Sequence, residues 1–148
     1  KAISTCDELL DETIDGNAER VAELIEQAHD TYTSILKYND ENSLSCVLTM
    51  AYFTAPGYYN IVREMPAGKG FADFAFIPRL NAGFRPAMIV ELKYNQSAET
   101  AIKQIKQKKY HGALSGYSDK ILLVGINYNA DGSDKKYHTC VIEEWRNS

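Results

Sequence analysis

The segment PAMIVELKY, residues 86–94, is apolar except for two charged residues near its end, Glu91 and Lys93. Alternate residues of a β-strand share a face, so Glu91 and Lys93 point to one side and Val90 and Leu92 to the other. The apolar residues before them predict burial, which costs free energy for a carboxylate and an ammonium unless they are paired, solvated or bound to a metal. Taken alone, the spacing also fits a plain Glu–Lys surface pair at the end of a strand.

A second acidic residue, Asp73, lies inside the apolar segment Phe71–Ile77, which predicts the preceding strand. In an antiparallel meander these two strands are neighbours, so Asp73 is expected to face Glu91. Two close carboxylates repel each other unless a proton or cation lies between them, and magnesium prefers one or two carboxylates with waters and phosphate. The Leu92 carbonyl would add an oxygen ligand. Lys93 beside the ion would orient the attacking water, lower its pKa or stabilise the negative charge that develops on the phosphorane.

The rest of the pattern predicts a mixed sheet with helices packed on it. Apolar spacing predicts a helix over Ser4–His29, with a candidate break at Gly16-Asn17, and a second helix over Glu41–Thr54. Strands are predicted over Tyr58–Glu64, Phe71–Ile77, Pro86–Tyr94, Ile121–Tyr128 and Tyr137–Glu143, the last at an edge, with a turn at Pro66–Gly70. A helix that starts at the N-cap Ser97 and ends near His111 links strands three and four and allows them to be parallel. The expected fold class is α/β.

Two of these helices carry polar residues that fit the same site. Glu41 opens the second helix and would supply a carboxylate from across the sheet, although the helix dipole alone favours an acid there. On the later helix, Gln104 and Lys108 flank the apolar face at i,i+4 spacing, where they would meet a substrate near Lys93. A solvated, lysine-rich helix face explains the same spacing.

Composition and charge limit the class of protein. The chain has 148 residues, 45% hydrophobic and 24% charged, a normal balance for one globular domain. Its net charge of −4 argues against broad non-specific nucleic-acid binding but leaves a local basic patch open. Cys6, Cys46 and Cys140 form no CxxC pair, so reduced, buried thiols in a cytoplasmic protein are expected. No apolar run is long enough for a membrane span, and the start at Lys1 suggests a piece of a longer protein.

Taken in order, three segments resemble the PD-(D/E)XK nuclease superfamily: Gly68–Asp73, Val90–Lys93 and Gln104–Tyr110. The resemblance covers residues 39–143 and is to the bacterial branch found C-terminal to an AAA-ATPase-like domain. It implies a restriction-endonuclease-like core and an upstream ATPase-like domain. Residues 1–38 would then be a helical extension that packs on the core or links it to that upstream domain, and residues 39–148 a nuclease-like domain.

The resemblance also implies a role for each site residue. Metal ligands for Mg²⁺ or Mn²⁺ would be Asp73, Glu91, Glu41 and the Leu92 carbonyl; Lys93 would be the catalytic lysine, supported by Gln104; Lys69, Lys108 and Tyr110 would contact the substrate. One departure is Ala72, which stands where many members have proline, a position that varies across the superfamily. The implied function is metal-dependent hydrolysis of phosphodiester bonds in DNA, or in RNA. Since the superfamily includes inactive members, the alternatives are a nuclease-fold domain that only binds nucleic acid or a partner protein, and a purely structural module.

Overall fold

The computed structural model describes residues 2–32, 52, 55–67, 70–108, 114, 116, 119–129 and 138–146. Its helices are α1 (Ala2–Ile14), α2 (Ala18–Tyr32) and α3 (Ala98–Lys108), and short 3-10 turns lie at Ala55–Gly57 and Leu80–Ala82. Its strands are β1 (Tyr59–Ala67), β2 (Gly70–Pro78), β3 (Ala87–Tyr94), β4 (Lys120–Tyr128) and β5 (His138–Arg146).

The described strands form one mixed sheet in the order β1-β2-β3-β4-β5. Strands β1, β2 and β3 are an antiparallel meander, β3 and β4 are parallel, and β5 pairs antiparallel with β4 at the edge. The chain crosses from β3 to β4 through α3, as parallel neighbours require. The α/β class, the mixed sheet, the crossover and the edge position of β5 are therefore confirmed.

The predicted break in the N-terminal helix is also confirmed. Helix α1 ends at Ile14, and Gly16 has a φ of 80°, in the left-handed region that glycine adopts without a steric penalty. The Gly16 amide donates to the Thr13 carbonyl at 3.1 Å, and the Asn17 side chain donates to Glu12 at 2.7 Å. These bonds terminate α1 and let α2 start in a new direction.

One prediction about the β1–β2 connection was wrong. The turn was expected to begin at Pro66, but β1 continues through Pro66 and Ala67, which pair with Phe71 and Gly70. An edge strand tolerates proline because one side of its backbone needs no ladder hydrogen bond, and β1 lies at the edge of the described sheet. The predicted helix over Glu41–Thr54 lies outside the described residues, apart from Tyr52.

Helices α1 and α2 cover one face of the sheet. The buried cluster on this face contains Leu9, Leu10, Val21, Leu24, Ile25 and Ala28 from the helices and Phe74, Phe76, Met88, Val90, Leu92, Leu122, Val124 and Ile126 from the strands. A polar contact adds to it, since the His138 amide of β5 donates to the Glu26 carboxylate of α2 at 2.6 Å and the His138 ring contacts the same carboxylate. The N-terminal helices thus share a hydrophobic core with the sheet.

Helix α3 covers the opposite face, where a second, smaller apolar cluster lies. Its members are Ala75, Ala87, Ile89, Ile102, Ile105, Leu114, Ile121 and Leu123. On β3 and β4 these residues occupy only the first half of each strand. Beyond Ile89 and Leu123, the next residues on this face are Glu91 and Gly125, and the character of the face changes from apolar to polar.

The cysteines were expected to be reduced and buried. Cys140 is a free cysteine whose side chain packs against the larger apolar cluster. Burial raises the pKa of its thiol to about 12, so the thiol is protonated near neutral pH. The side chains of Cys6 and Cys46 lie outside the described residues. None of the helices in the described ranges is long and apolar enough to cross a bilayer.

Candidate active site

Asp73 and Glu91 lie opposite each other where β2 and β3 meet. The register of Phe76 with Met88 and Phe74 with Val90, carried one residue further, pairs Asp73 with Glu91. At this point side chains join the backbone pairing. The Leu92 amide donates to Asp73 Oδ2 at 2.8 Å, and the Asp73 amide donates to Glu91 Oε1 at 3.3 Å. The strand register therefore brings the two predicted carboxylates together.

Glu91 is a buried acid, with 2% of its surface exposed. Burial raises the pKa of Glu91 to about 7, and the negative charge of Asp73 contributes in the same direction. The Asp73 amide, the Lys93 charge and the hydrogen bond from Gln104 oppose this shift without cancelling it. A buried carboxylate beside a second acid is better satisfied by a cation than by its protein neighbours alone.

Gln104 of α3 connects Glu91 to Lys93. The Lys93 amine donates to Gln104 Oε1, and Gln104 Nε2 donates to Glu91 Oε2. Because the ammonium needs an acceptor and the carboxylate needs a donor, the two charged groups fix which way the amide points. We call Glu91, Gln104 and Lys93 the relay, and it holds the amine at a set place beside the two acids.

The start of α3 determines where Gln104 lies. Ser97 caps the helix, because its Oγ accepts from the Thr100 amide at 3.0 Å, which confirms the predicted N-cap. Further support comes from β4, where Gly125 pairs in register with Glu91. A Cβ on Gly125 would fall well inside van der Waals contact of the Ala98 carbonyl oxygen and 3.0 Å from the Ala101 Cβ. Glycine at this position lets α3 approach the sheet closely enough for Gln104 to reach both charged groups.

Sequence reasoning missed Gly125 and Asn127, which lie in the strand beside the Glu-x-Lys pair. Gly125 pairs with Glu91 and Asn127 with Lys93, and Asn127 is completely buried. A signal was present in the sequence, because a glycine and an asparagine interrupt the apolar run Ile121–Tyr128. A polar residue in a buried strand needs hydrogen-bond partners, and here it is on the face of the strand that carries the site.

The other predicted site residues are placed as follows. Lys108 is exposed, one turn beyond Gln104 on α3. The Leu92 side chain is buried with the apolar cluster under α1 and α2, and its amide donates to Asp73. Glu41, Lys69 and Tyr110 lie outside the described residues. The structure thus brings together Asp73, Glu91, Lys93 and Gln104 from the predicted set.

The donor set of the site can be compared with what a divalent ion needs. Within the described parts of the chain, no three His, Cys, Asp or Glu side chains are grouped as a metal site. Asp73 and Glu91 supply two carboxylates, which fits magnesium, since that ion takes one or two protein carboxylates and completes its shell with waters and phosphate. It fits zinc poorly, because structural and catalytic zinc sites use three or four protein ligands, mostly Cys and His.

A sequence model of the PD-(D/E)XK nuclease superfamily matches residues 39–138, more than half of the chain. The chain belongs to the PD-(D/E)XK nuclease superfamily. The mixed sheet with flanking helices agrees with the restriction-endonuclease-like fold of that superfamily. A search of curated proteins found no match. PD-(D/E)XK nucleases generally use divalent metals, in agreement with the two-carboxylate donor set.

Proposed function

We propose that this chain is a nuclease that hydrolyses phosphodiester bonds of DNA with the help of Mg²⁺ or Mn²⁺. The observation that carries the proposal is the relay, in which Gln104 joins a carboxylate with 2% of its surface exposed to a lysine amine on the same face of β3. Lys93 is partly exposed, and its amine beside the two acids Asp73 and Glu91 would face a phosphate bound to the same metal ion. Membership of a nuclease superfamily supports the same chemistry.

Each side chain of the proposed site has a separate task. Asp73 and Glu91 would hold the metal ion, with the Leu92 carbonyl and the Glu41 carboxylate as further oxygen donors. When bound, the ion supplies a positive charge that polarises the phosphate and lowers the pKa of a water. Lys93 stabilises the negative charge that develops on the phosphate oxygens as the bond to the leaving oxygen lengthens. Gln104 keeps the Lys93 amine in place through that change, because its carbonyl oxygen faces the amine.

A lysine row on α3 supports nucleic acid as the substrate. Lys103 and Lys108 are exposed, whereas Lys106 forms an ion pair with Glu143 at 2.5 Å. Lys108 lies four residues after Gln104, so the two share one side of the helix. We assign Lys108 to a phosphate near the cleaved bond, together with Lys69 and Tyr110. Such contacts bind the backbone of DNA or RNA without reading its sequence.

The wider setting is also a proposal. The resemblance of the three motif segments to the bacterial ATPase-linked branch supports a larger cytoplasmic protein in which an ATPase-like domain precedes residues 39–148. In that arrangement residues 1–38 join the two domains while α1 and α2 stay packed on the sheet. Sequencing the reading frame upstream of Lys1 tests this, and a frame without a P-loop ATPase domain would contradict it.

The decisive experiment is a cleavage assay on Lys93→Ala. Purified protein is incubated with supercoiled, linear and single-stranded DNA and with RNA, in Mg²⁺, Mn²⁺ or EDTA. We expect metal-dependent cleavage by the wild type and a loss of at least about 100-fold in Lys93→Ala, the usual effect of removing a group that stabilises transition-state charge. Lys120→Ala is the matched control and should cut at the wild-type rate. It also removes a lysine charge, but Lys120 begins β4, whereas Lys93 pairs with Asn127 near the end of that strand.

Two outcomes would contradict the proposal. In one, the wild type cuts no substrate with either metal; in the other, Lys93→Ala cuts as fast as the wild type. Calorimetry with Mn²⁺ then separates the alternatives. If the wild type binds Mn²⁺ and Asp73→Asn does not, the metal site is supported even when none of the assayed nucleic acids is cut. Nucleic-acid binding without any metal binding would indicate an inactive domain of the same fold.

A further inference from the structure

We propose that Asn127 is a positioning residue for the relay, which it controls by fixing the point where α3 leaves the sheet. Asn127 is completely buried and lies on β4 next to Lys93, its partner in the parallel register. It belongs to neither the predicted metal ligands nor the predicted catalytic residues. Its surroundings nevertheless tie it to the segment that connects Lys93 to Gln104.

The Asn127 side chain clamps one residue of that connecting segment by two hydrogen bonds. The Gln96 amide donates to Asn127 Oδ1 at 3.0 Å, and Asn127 Nδ2 donates to the Gln96 carbonyl at 3.3 Å. One side-chain amide therefore satisfies both backbone groups of Gln96, as a neighbouring strand would do. Asn127 Nδ2 also donates to Asn129 Oδ1 at 3.1 Å, a third bond that the clamp does not need. Only an amide has a donor and an acceptor side by side at this reach.

The clamp lies at the point where the direction of the chain changes. Asn95 has a φ of 56°, in the left-handed region, and its amide donates to the Tyr128 carbonyl at 2.8 Å. Gln96 follows, and Ser97 then caps α3. Three consecutive residues after β3 are therefore held by backbone or side-chain bonds, two of them by β4. This segment is fixed tightly enough to set the direction of the helix.

The direction of α3 decides whether Gln104 reaches the relay. Gln104 is six residues after Ala98, about 9 Å along the helix axis, and the helix moves as a rigid body between them. The lack of a side chain at Gly125 lets Ala98 of α3 lie close to β4. Asn127 holds Gln96, two residues before Ala98 in the chain. A small change of angle at the turn therefore displaces the Gln104 amide from Glu91 and Lys93. The loss of cleavage that follows rests on the proposed nuclease function, whereas the displacement of Gln104 does not.

The test reads the position of Gln104 directly. In two-dimensional ¹⁵N NMR, the Gln104 side-chain amide, assigned from its loss in Gln104→Ala, should lie away from the amide of the exposed Gln107 on the same helix. In Asn127→Ser the serine hydroxyl cannot span both backbone groups of Gln96, so the Gln104 signal should move towards that of Gln107. Asn127→Leu, which keeps the size but has neither donor nor acceptor, is the second variant if the serine protein does not fold.

The control is Asn129→Ala, which breaks only the third bond of Asn127 and should leave the Gln104 signal in place. A Gln104 signal that does not move in Asn127→Ser or Asn127→Leu would overturn the proposal, as would an equal movement in Asn129→Ala. If the wild type cuts DNA, the cleavage rate of Asn127→Ser should be lower by about ten-fold or more, the usual effect of losing a supporting hydrogen bond around a metal site. In a Gln104→Ala background the same change should have almost no further effect, and losses that multiply would count against a shared route.

Discussion

The face of the sheet under α3 is divided into two halves that differ in chemistry. The first half of β3 and β4 contributes Ile89 and Leu123 to an apolar cluster, sealed by Ile105. The second half contributes Glu91 and Asn127, which are equally buried but polar. Apolar burial stabilises a fold in proportion to the area removed from water, whereas a buried carboxylate lowers stability until something neutralises it. One half therefore holds the domain together, whereas the other carries the proposed site.

The neighbours Gln104 and Ile105 on α3 test whether the two halves have these separate roles, and large changes are expected. Ile105 is completely buried in the apolar half, so Ile105→Ala should lower the free energy of unfolding by about 2–5 kcal/mol. Gln104→Ala should cost about 1 kcal/mol, since it removes hydrogen bonds that water partly replaces. Cleavage should show the reverse order, with about a ten-fold or larger loss in Gln104→Ala. Urea titrations and single-turnover rates measure both; a stability loss in Gln104→Ala as large as in Ile105→Ala would remove the distinction.

Glu91, in the polar half, should make the stability of the protein depend on pH. Its pKa of about 7 in the folded protein exceeds the ordinary value of 4.5, so the folded state binds this proton more tightly than the unfolded chain does. The stability that Glu91 contributes is thus fully present below pH 4.5 and is lost as the pH rises to about 7. Above pH 7 the ionised carboxylate costs the metal-free protein up to about 3 kcal/mol. Glu91→Gln should therefore be the more stable protein at pH 8 and show a flatter pH profile.

Thermal or chemical unfolding between pH 4 and pH 9 measures this effect in the presence of EDTA. The control is Glu99→Gln, which changes an exposed glutamate on α3 and should keep the wild-type dependence of stability on pH. Adding Mn²⁺ at pH 8 should stabilise the wild type and leave Glu91→Gln unchanged, because the variant lacks the charge that the ion would neutralise. A wild-type slope in the metal-free Glu91→Gln protein would show that another group causes the pH dependence.

The smallest effect is expected from a methyl group at the junction of the two halves. Gly125→Ala would force α3 away from β4, because the added Cβ meets the backbone of Ala98 and the Ala101 side chain. Overpacking of this kind costs about 1–3 kcal/mol and should also slow cleavage by moving Gln104. Gly57→Ala is the matched control, since nothing lies within 4 Å of an added Cβ there. Equal stability and activity in the two variants would mean that the close approach of α3 has no role.

Local sequence rules account for a large part of the fold. Period-two alternation placed Glu91 and Lys93 on one face, and the serine before an apolar helix identified the start of α3 at Ser97. The predicted three-strand meander then made Asp73 a neighbour of Glu91. The rule that proline marks a turn failed at Pro66, because a proline can stay in a strand that forms the edge of the sheet. That property belongs to the assembled sheet and not to the segment.

Backbone geometry over a few residues was enough to predict which residues share a face, where α3 begins, and that two acids and a lysine lie on adjacent strands. Tertiary packing was needed to show that Gln104 joins Lys93 to Glu91, that Gly125 admits α3, and that Asn127 holds Gln96. It also decided the pKa of Glu91, which burial raises. These features depend on how a helix and a parallel strand, separated by more than ten residues, pack against one another, and such distances are set by the whole core.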